Sequence, residues 1–449
     1  MGLMIVGPKV VAVDDNVEHL TILEQGFEKL GGFCVGFEYT LALSRAGPLP
    51  TGVRILFMDI NLMPGGAANE GARTFQPIVA IIRKLIKPEN GPYALVTWTD
   101  SPQSHGNLIE FLENNLDAAL LPCADFSLSK AEYLEDAPAL AERLRNLGNE
   151  LPGLAMLLDW ESAVFKAADR TVFEMIALSG ENGKAAGASV VQTVNAVAKA
   201  AHGVSSARAA PFRAFTAGMS GVLSDRIDNA APDADTEKTW SALIAAAHPA
   251  ELDAQQQAKL NSYFHLASVE GGVPASPGVV YSFPLTELRR FVIPQLGESI
   301  EDVLASGEFA PLRGNAFEGA ISKEAFAAAC RWRLVRLGAD CDYANLKLRV
   351  FEGHVALEVP ESMLGLTKLG EGNKFRDTPA KSEWLFQTPP LWRNGERVAL
   401  VINLRMPFSA PLASVSRRTP LYRLRETLAA EVAAHSKAFA TRPGLVEFR

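Results

Sequence analysis

The chain has 449 residues, of which 48% are hydrophobic and 21% charged, and its 51 acidic against 43 basic residues give a net charge of −8 at pH 7. This length exceeds what one hydrophobic core normally serves, and the composition excludes a globally disordered chain. The four cysteines, Cys34, Cys123, Cys330 and Cys341, are too widely spaced for a disulfide scaffold or a zinc finger, and the acid excess argues against a surface given over to nucleic acid.

The N-terminal MGLMIVGPKVVAVDDN is apolar but short and runs into two acids, unlike a secretory signal. No later apolar stretch has the length of a membrane span. The expectation is a cytoplasmic protein with no membrane partner.

Val10–Val13 reads as a strand stopping at Asp14–Asp15–Asn16. A helical stripe follows at Val17, Leu20, Leu23, Phe27 and Leu30, closed by Gly31–Gly32. Phe33–Phe37, Val53–Met58 and Tyr93–Trp98 read as further strands, and Ala118–Leu121 as the fifth. Between them, Ala68–Lys87 has helical spacing that Pro77 should start or kink, and Leu108, Phe111 and Leu112 mark another helix. Strands alternating with helices predict a doubly wound parallel sheet covered on both faces.

In such a sheet the carboxyl ends of the strands form the functional edge. Asp14, Asp15 and Asp59 all fall there. Three neighbouring carboxylates repel one another, and a hard cation such as Mg²⁺ relieves that repulsion through oxygen ligands. A phosphoryl group arriving at one of them would also need a hydroxyl and a basic group, for which Thr97 and Lys130 are candidates. The chemistry points to a phosphorylatable aspartate with Asp59 as nucleophile.

Val11–Asn16 (VAVDDN) and Ile55–Gly65 (ILFMDINLMPG) resemble the response-regulator receiver domain, as does the 44-residue separation of Asp15 from Asp59. The resemblance implies that Asp14 and Asp15 are the metal-binding acidic pair and Asp59 the phosphoacceptor. It gives Asn61 the backbone carbonyl on the metal, Met63–Pro64 the loop after the acceptor, Thr97 the switch hydroxyl and Lys130 the invariant lysine. It spans roughly the first 140 residues. The 38 residues from Asp59 to Thr97 are more than an ordinary receiver has, Ala131 replaces the usual proline after the lysine, and Thr99 is an alternative to Thr97. The whole is similar to divergent receivers in larger bacterial signalling or conflict-system proteins.

Ala137–Leu147, Leu154–Leu178, Ala185–His202, Thr236–Ala247 and Asp253–Leu266 have helical spacing, while Glu270–Tyr281 reads as a connector. His202, His248 and His265 have no metal-site spacing. After a helix near Ser322–Cys330 the pattern turns to short strands: Trp332–Leu337, a hairpin of Asn345–Val350 and His354–Val359 across Phe351–Gly353, Trp384–Phe386, and Val398–Leu404. A small barrel or curled sheet is the expected result. Leu421–Phe439 closes the chain as a helix.

The expected organisation is a receiver-like five-stranded α/β domain (1–140), a mainly helical middle (141–320) and a β-rich domain with a C-terminal helix (321–449). The expected function is regulatory: Asp59, with Mg²⁺, controls contacts with a histidine kinase or other signalling protein in a two-component or antiphage pathway. A homo-oligomer fits this reading. The alternatives are a non-phosphorylated docking module, a nucleic-acid-associated defence protein, and a hydrolase built on Cys341 and His354.

Overall fold

The structure, a computed structural model, describes residues 8–44, 47–49, 51–62, 72–150, 152–180, 187–230, 234–246, 252–269, 277–291, 299–305, 310, 312–313, 317, 321–338, 350–371, 374–375, 384–411, 415, 418 and 420–440. Met63–Pro64, His248 and Cys341–Asp342 lie outside them. The chain divides into two compact units, Met1–Val164 and Phe165–Arg449. No described helix is long and apolar enough to cross a membrane.

The first unit is built on five strands, β1 (Val10–Asp14), β2 (Cys34–Glu38), β3 (Ile55–Met58), β4 (Ala94–Thr99) and β5 (Ala124–Ser129). They pair in the order β2-β1-β3-β4-β5, and every pairing is parallel. Alternation along β3 sends Leu56 and Met58 to one face and Phe57 to the other. Helices α1 (Val17–Lys29) and α6 (Ala137–Glu150) cover the Phe57 face with Leu20, Leu23, Phe27, Leu140 and Leu144. Helices α3 (Ala72–Leu85) and α4 (His105–Asn115) cover the other with Phe75, Ile78, Ile82, Leu108 and Leu112. Each such side chain contributes about 1.5–3 kcal/mol on burial. The receiver-like α/β arrangement expected from the sequence is therefore present.

The fifth strand is not where the sequence pattern puts it. Ala118–Leu120 is a single 3₁₀ turn, and the strand is Ala124–Ser129 (ADFSLS). As the edge of the sheet, β5 is only partly covered and carries Asp and Ser, so it lacks the apolar run that marks the central strands. Pro77 falls inside α3, which starts at Ala72.

In the second unit, α7 (Pro152–Ser179) enters from the first and is followed by α8 (Gly187–Ala209), α9 (Pro211–Asp228) and α10 (Ala234–Ala246). Gly203, at φ +74°, breaks α8 internally. Hydrophobic spacing alone did not single out α9, whose small and polar residues dilute its stripe. Asp253 caps α11 (Ala254–His265) through a reciprocal capping box with Gln256.

The rest of this unit is a curled half-barrel of antiparallel strands: β6 (Leu266–Ala267), β7 (Val279–Ser282), β8 (Arg331–Arg336), β9 (Val350–Pro360), β12 (Leu385–Gln387), β13 (Leu391–Arg393), β14 (Glu396–Pro411) and β15 (Pro420–Leu424). Between β9 and β12 lies the separate short pair β10 (Gly370–Glu371) and β11 (Lys374–Phe375). The main order is β12-β14-β9-β8-β7-β15-β6, with β13 also on β14. The long pair β9–β14 shifts register between Ile402 and Pro407, which bends it. One face packs Tyr281, Leu334, Phe351 and Leu357 against Leu288, Val303 and Phe326. The other packs Val280, Val335 and Leu400 against Leu428 and Val432 of the helix Glu426–Ala440.

Three expectations are corrected here. Phe351–Gly353 is strand, not a turn, because β9 runs on through it and pairs with β8 and β14. Val279–Tyr281, read as connector, forms β7 inside the sheet. Leu421 and Leu424 belong to β15, and the terminal helix begins only at Glu426.

Candidate functional site

The site lies at the carboxyl ends of β1, β3 and β5 in the first unit. Asp14 is the last residue of β1 and wholly buried, Asp59 follows β3 directly and is buried, and Asp15 is exposed. Lys130 follows β5 as the first residue of a four-residue helix, α5 (Lys130–Tyr133), and is also buried. Its Nζ lies 2.8 Å from Asp14 Oδ2 and 2.8 Å from Asp59 Oδ2, so one ammonium bridges the two buried carboxylates.

Local backbone geometry holds these groups. Asp59 N donates to Val13 O at 3.0 Å, locking the end of β3 onto β1. Asp14 Oδ1 accepts from Asn16 N at 2.9 Å, and the Asn16 side chain caps α1 by accepting from Glu18 N at 2.9 Å. Asp59 Oδ1 accepts from Asn61 N at 3.2 Å, and Asn61 Nδ2 donates to Ser101 Oγ at 3.4 Å.

Burial pushes the Asp14 carboxyl above the ordinary carboxylate range; Lys130 pulls against this, and the charge of Asp59 adds to it. Burial alone would lower the Lys130 ammonium, but Asp59 and Asp14 together hold it above the ordinary lysine value. A buried ammonium on two carboxylates is thus kept charged by its partners.

A carboxylate oxygen from each of Asp14, Asp15 and Asp59 can be chosen so that all three lie within 4.8 Å of one another, a group able to hold a metal ion. Carboxylate oxygens are the hard donors that a divalent cation such as Mg²⁺ would take. The residues present fit such a cation.

Thr97 is buried on β4, but its hydroxyl is engaged away from the acids. Its Oγ1 donates to Phe126 O at 3.1 Å and lies 3.0 Å from His105 Nδ1. His105 Nε2 in turn lies 2.8 Å from Asp125 Oδ1. Thr99, the alternative hydroxyl, ends β4 and accepts from Ser101 N at 3.1 Å. That bond places it on the same loop residue that Asn61 reaches.

Comparison with protein-family models and with curated proteins found no match for the chain.

Sequence reasoning did not find His105, Asp125 or His19. His19 Nδ1 lies 3.5 Å from Asp14 Oδ1 and its Nε2 lies 3.3 Å from Asn16 Nδ2. Its signal was present, since His19 follows the acidic pair by one helical turn on α1. The His105–Asp125 contact joins residues twenty apart on α4 and β5 and left no local mark.

Elsewhere, His354 is buried on β9, with Nε2 3.1 Å from Ser436 Oγ. Burial lowers its basicity. Cys330 is likewise buried, and its thiol is pushed up to about 12 by that burial, the reverse of an activated nucleophile.

Proposed function

We propose that this chain is a regulatory protein of the receiver type, in which Asp59 accepts a phosphoryl group. The observation that carries the reading is the bridging of Asp14 and Asp59 by Lys130 at the carboxyl edge of a β2-β1-β3-β4-β5 parallel sheet. An Asp59 carboxylate oxygen attacks the phosphorus of a phosphohistidine or of a small acyl phosphate. The new O–P bond forms as the bond to the donor breaks, and the donor leaves with the electron pair. Lys130, already within ion-pair distance of Asp59, is placed to follow the charge onto the phosphoryl oxygens. Mg²⁺ held by Asp14, Asp15 and Asp59 supplies charge neutralisation when bound. The phosphodonor in this reading is a histidine kinase or another signalling protein.

The test is a titration of the full chain with beryllofluoride and Mg²⁺. Saturable binding, lost in Asp59→Ala, supports the phosphoacceptor; no binding by the intact protein, or binding unchanged in Asp59→Ala, removes it.

One arrangement favours a second reading, a docking module that is never phosphorylated. Thr97 is occupied by Phe126 O and His105, so no hydroxyl from that position is directed to the acids. In this reading Lys130 is a structural pin between β1, β3 and β5. The same titration separates the two readings.

A further inference from the structure

Beside the acids stands a ring nitrogen that the resting site leaves unused. His19 lies on α1 one helical turn after Asp15, and its side chain is only 20% exposed. Its Nδ1 is closed to solvent and has no hydrogen-bond partner. Buried polar atoms are nearly always paired, so one that is not calls for a reason.

The neighbouring bonds fix what this nitrogen has to offer. Asn16 Oδ1 accepts from Glu18 N at 2.9 Å, which sets the amide with Nδ2 toward His19 Nε2 at 3.3 Å. An amide nitrogen only donates, so Nε2 is the acceptor and, in the neutral ring, the hydrogen is on Nδ1. That Nδ1–H lies 3.5 Å from Asp14 Oδ1, at the outer limit of a hydrogen bond.

Asp14 is committed elsewhere in the resting site. Its Oδ1 accepts from Asn16 N at 2.9 Å, and its Oδ2 pairs with Lys130 at 2.8 Å. Lys130 is shared with Asp59 at the same distance. A phosphoryl group on Asp59 draws the ammonium onto its own oxygens, because charge-assisted bonds to phosphoryl oxygens are among the strong ones. Asp14 is wholly buried, so without the ammonium it needs another donor to keep its charge. Only a deprotonated carboxylate serves as a metal ligand. Among the described residues, His19 is the remaining basic side chain within ion-pair distance of Asp14.

We propose that His19 is a positioning residue of the cation site, whose Nδ1–H takes up Asp14 Oδ1 as Lys130 turns to the phosphoryl group, holding that carboxylate in place as a ligand of the divalent cation. This rests on the reading that Asp59 takes a phosphoryl group and that Asp14, Asp15 and Asp59 hold a cation. Hydrogen bonds to metal-ligating groups are typically worth about 10–100-fold in metal affinity.

The experiment is calorimetric titration of the full chain with Mg²⁺, with and without beryllofluoride, for the native protein and for His19→Leu, His19→Gln and His19→Asn. An asparagine amide nitrogen stands where Nδ1 does, and a glutamine amide nitrogen where Nε2 does. With beryllofluoride, His19→Leu and His19→Gln are expected to bind Mg²⁺ at least about tenfold more weakly than the native protein, and His19→Asn within about threefold of it. Without beryllofluoride Lys130 still holds Asp14, and all three variants should stay within about threefold of native. Native affinity in His19→Leu, equal weakening with and without beryllofluoride, or an Asn variant as weak as Leu would each overturn the positioning role while leaving the phosphoacceptor reading intact. A native protein that binds neither Mg²⁺ nor beryllofluoride overturns both. Should His19→Leu fail to fold, nitrogen NMR of the native protein labelled at its histidines decides: a His19 hydrogen on Nδ1 that becomes protected from exchange on adding Mg²⁺ and beryllofluoride supports the proposal, and a hydrogen on Nε2 overturns it.

Discussion

The Thr97 hydroxyl lies 3.0 Å from His105 Nδ1. Asp125 accepts only, so it calls for a proton on His105 Nε2; Thr97 gives its single proton to Phe126 O. Thr97→Ser keeps these hydrogen bonds and should change stability by less than about 1 kcal/mol, whereas Thr97→Val leaves the half-buried Phe126 carbonyl and the His105 ring nitrogen without this partner and should cost about 1–3 kcal/mol. Urea unfolding of the two variants measures the difference. Equal stabilities would show that the hydroxyl contributes nothing.

Lys130 should matter more than any surface lysine, because both its partners are buried. Lys130→Met leaves Asp14 and Asp59 facing each other without a counter-charge and should cost about 3–5 kcal/mol at neutral pH. The loss should shrink in acid, as protonation of Asp14 removes the repulsion. The native ammonium has a raised pKa, so its stabilisation is complete below the ordinary value of 10.5 and is lost as pH rises through the higher folded value. Melting of the native protein followed across pH 9–12 checks the sign.

The second unit should respond at the opposite end of the pH scale. Glu358 is buried; burial alone would raise its carboxyl, but Arg333 and Arg331 bring it below the ordinary value of 4.5. Arg333 Nη2 lies 2.9 Å from Glu358 Oε1, Arg331 Nη1 3.0 Å from the same oxygen, and Tyr422 donates to Oε2 at 3.3 Å. A depressed carboxylate stabilises above its unfolded value, and that contribution is lost as pH falls through the folded one. Stability should therefore decline more steeply below about pH 4.5 in the native protein than in Glu358→Gln, which should already be weaker by about 3–5 kcal/mol.

Gly353 is a steric requirement of the β8–β9 pair. A Cβ there would stand 2.2 Å from the Val335 carbonyl oxygen, a backbone atom that cannot rotate away. Gly353→Ala should destabilise the protein by at least about 3 kcal/mol or abolish soluble expression. A variant with native melting behaviour would contradict the close approach.

Much of the first unit was legible because its central strands are buried on both faces and read as apolar runs, and Asp14, Asp15 and Asp59 stand where those runs stop. Lys130 was legible by type, although its place was obscured by the wrong fifth strand: Ala118–Leu121 is more apolar than the true edge strand Ala124–Ser129. Edge position, a tertiary fact, allows Asp125 in a strand. The half-barrel was less legible because its strands come from distant places, with β15 lying between β7 and β6. Gly353 looked like turn material, yet its lack of a side chain serves close strand contact. His105 and Asp125 meet only through the packing of α4 beside β5, which no spacing rule encodes.

The bend in β14 has a consequence for how the protein behaves when concentrated. Beyond Leu404, whose N–H still donates to Trp384 O, no described strand pairs with β14 on the side away from β9. That flank contains Pro407 and Pro411, neither of which has an N–H to offer. An incoming extended chain meets an interrupted row of donors, so a long strand that could template amyloid-like stacking is made a poor template at its open end.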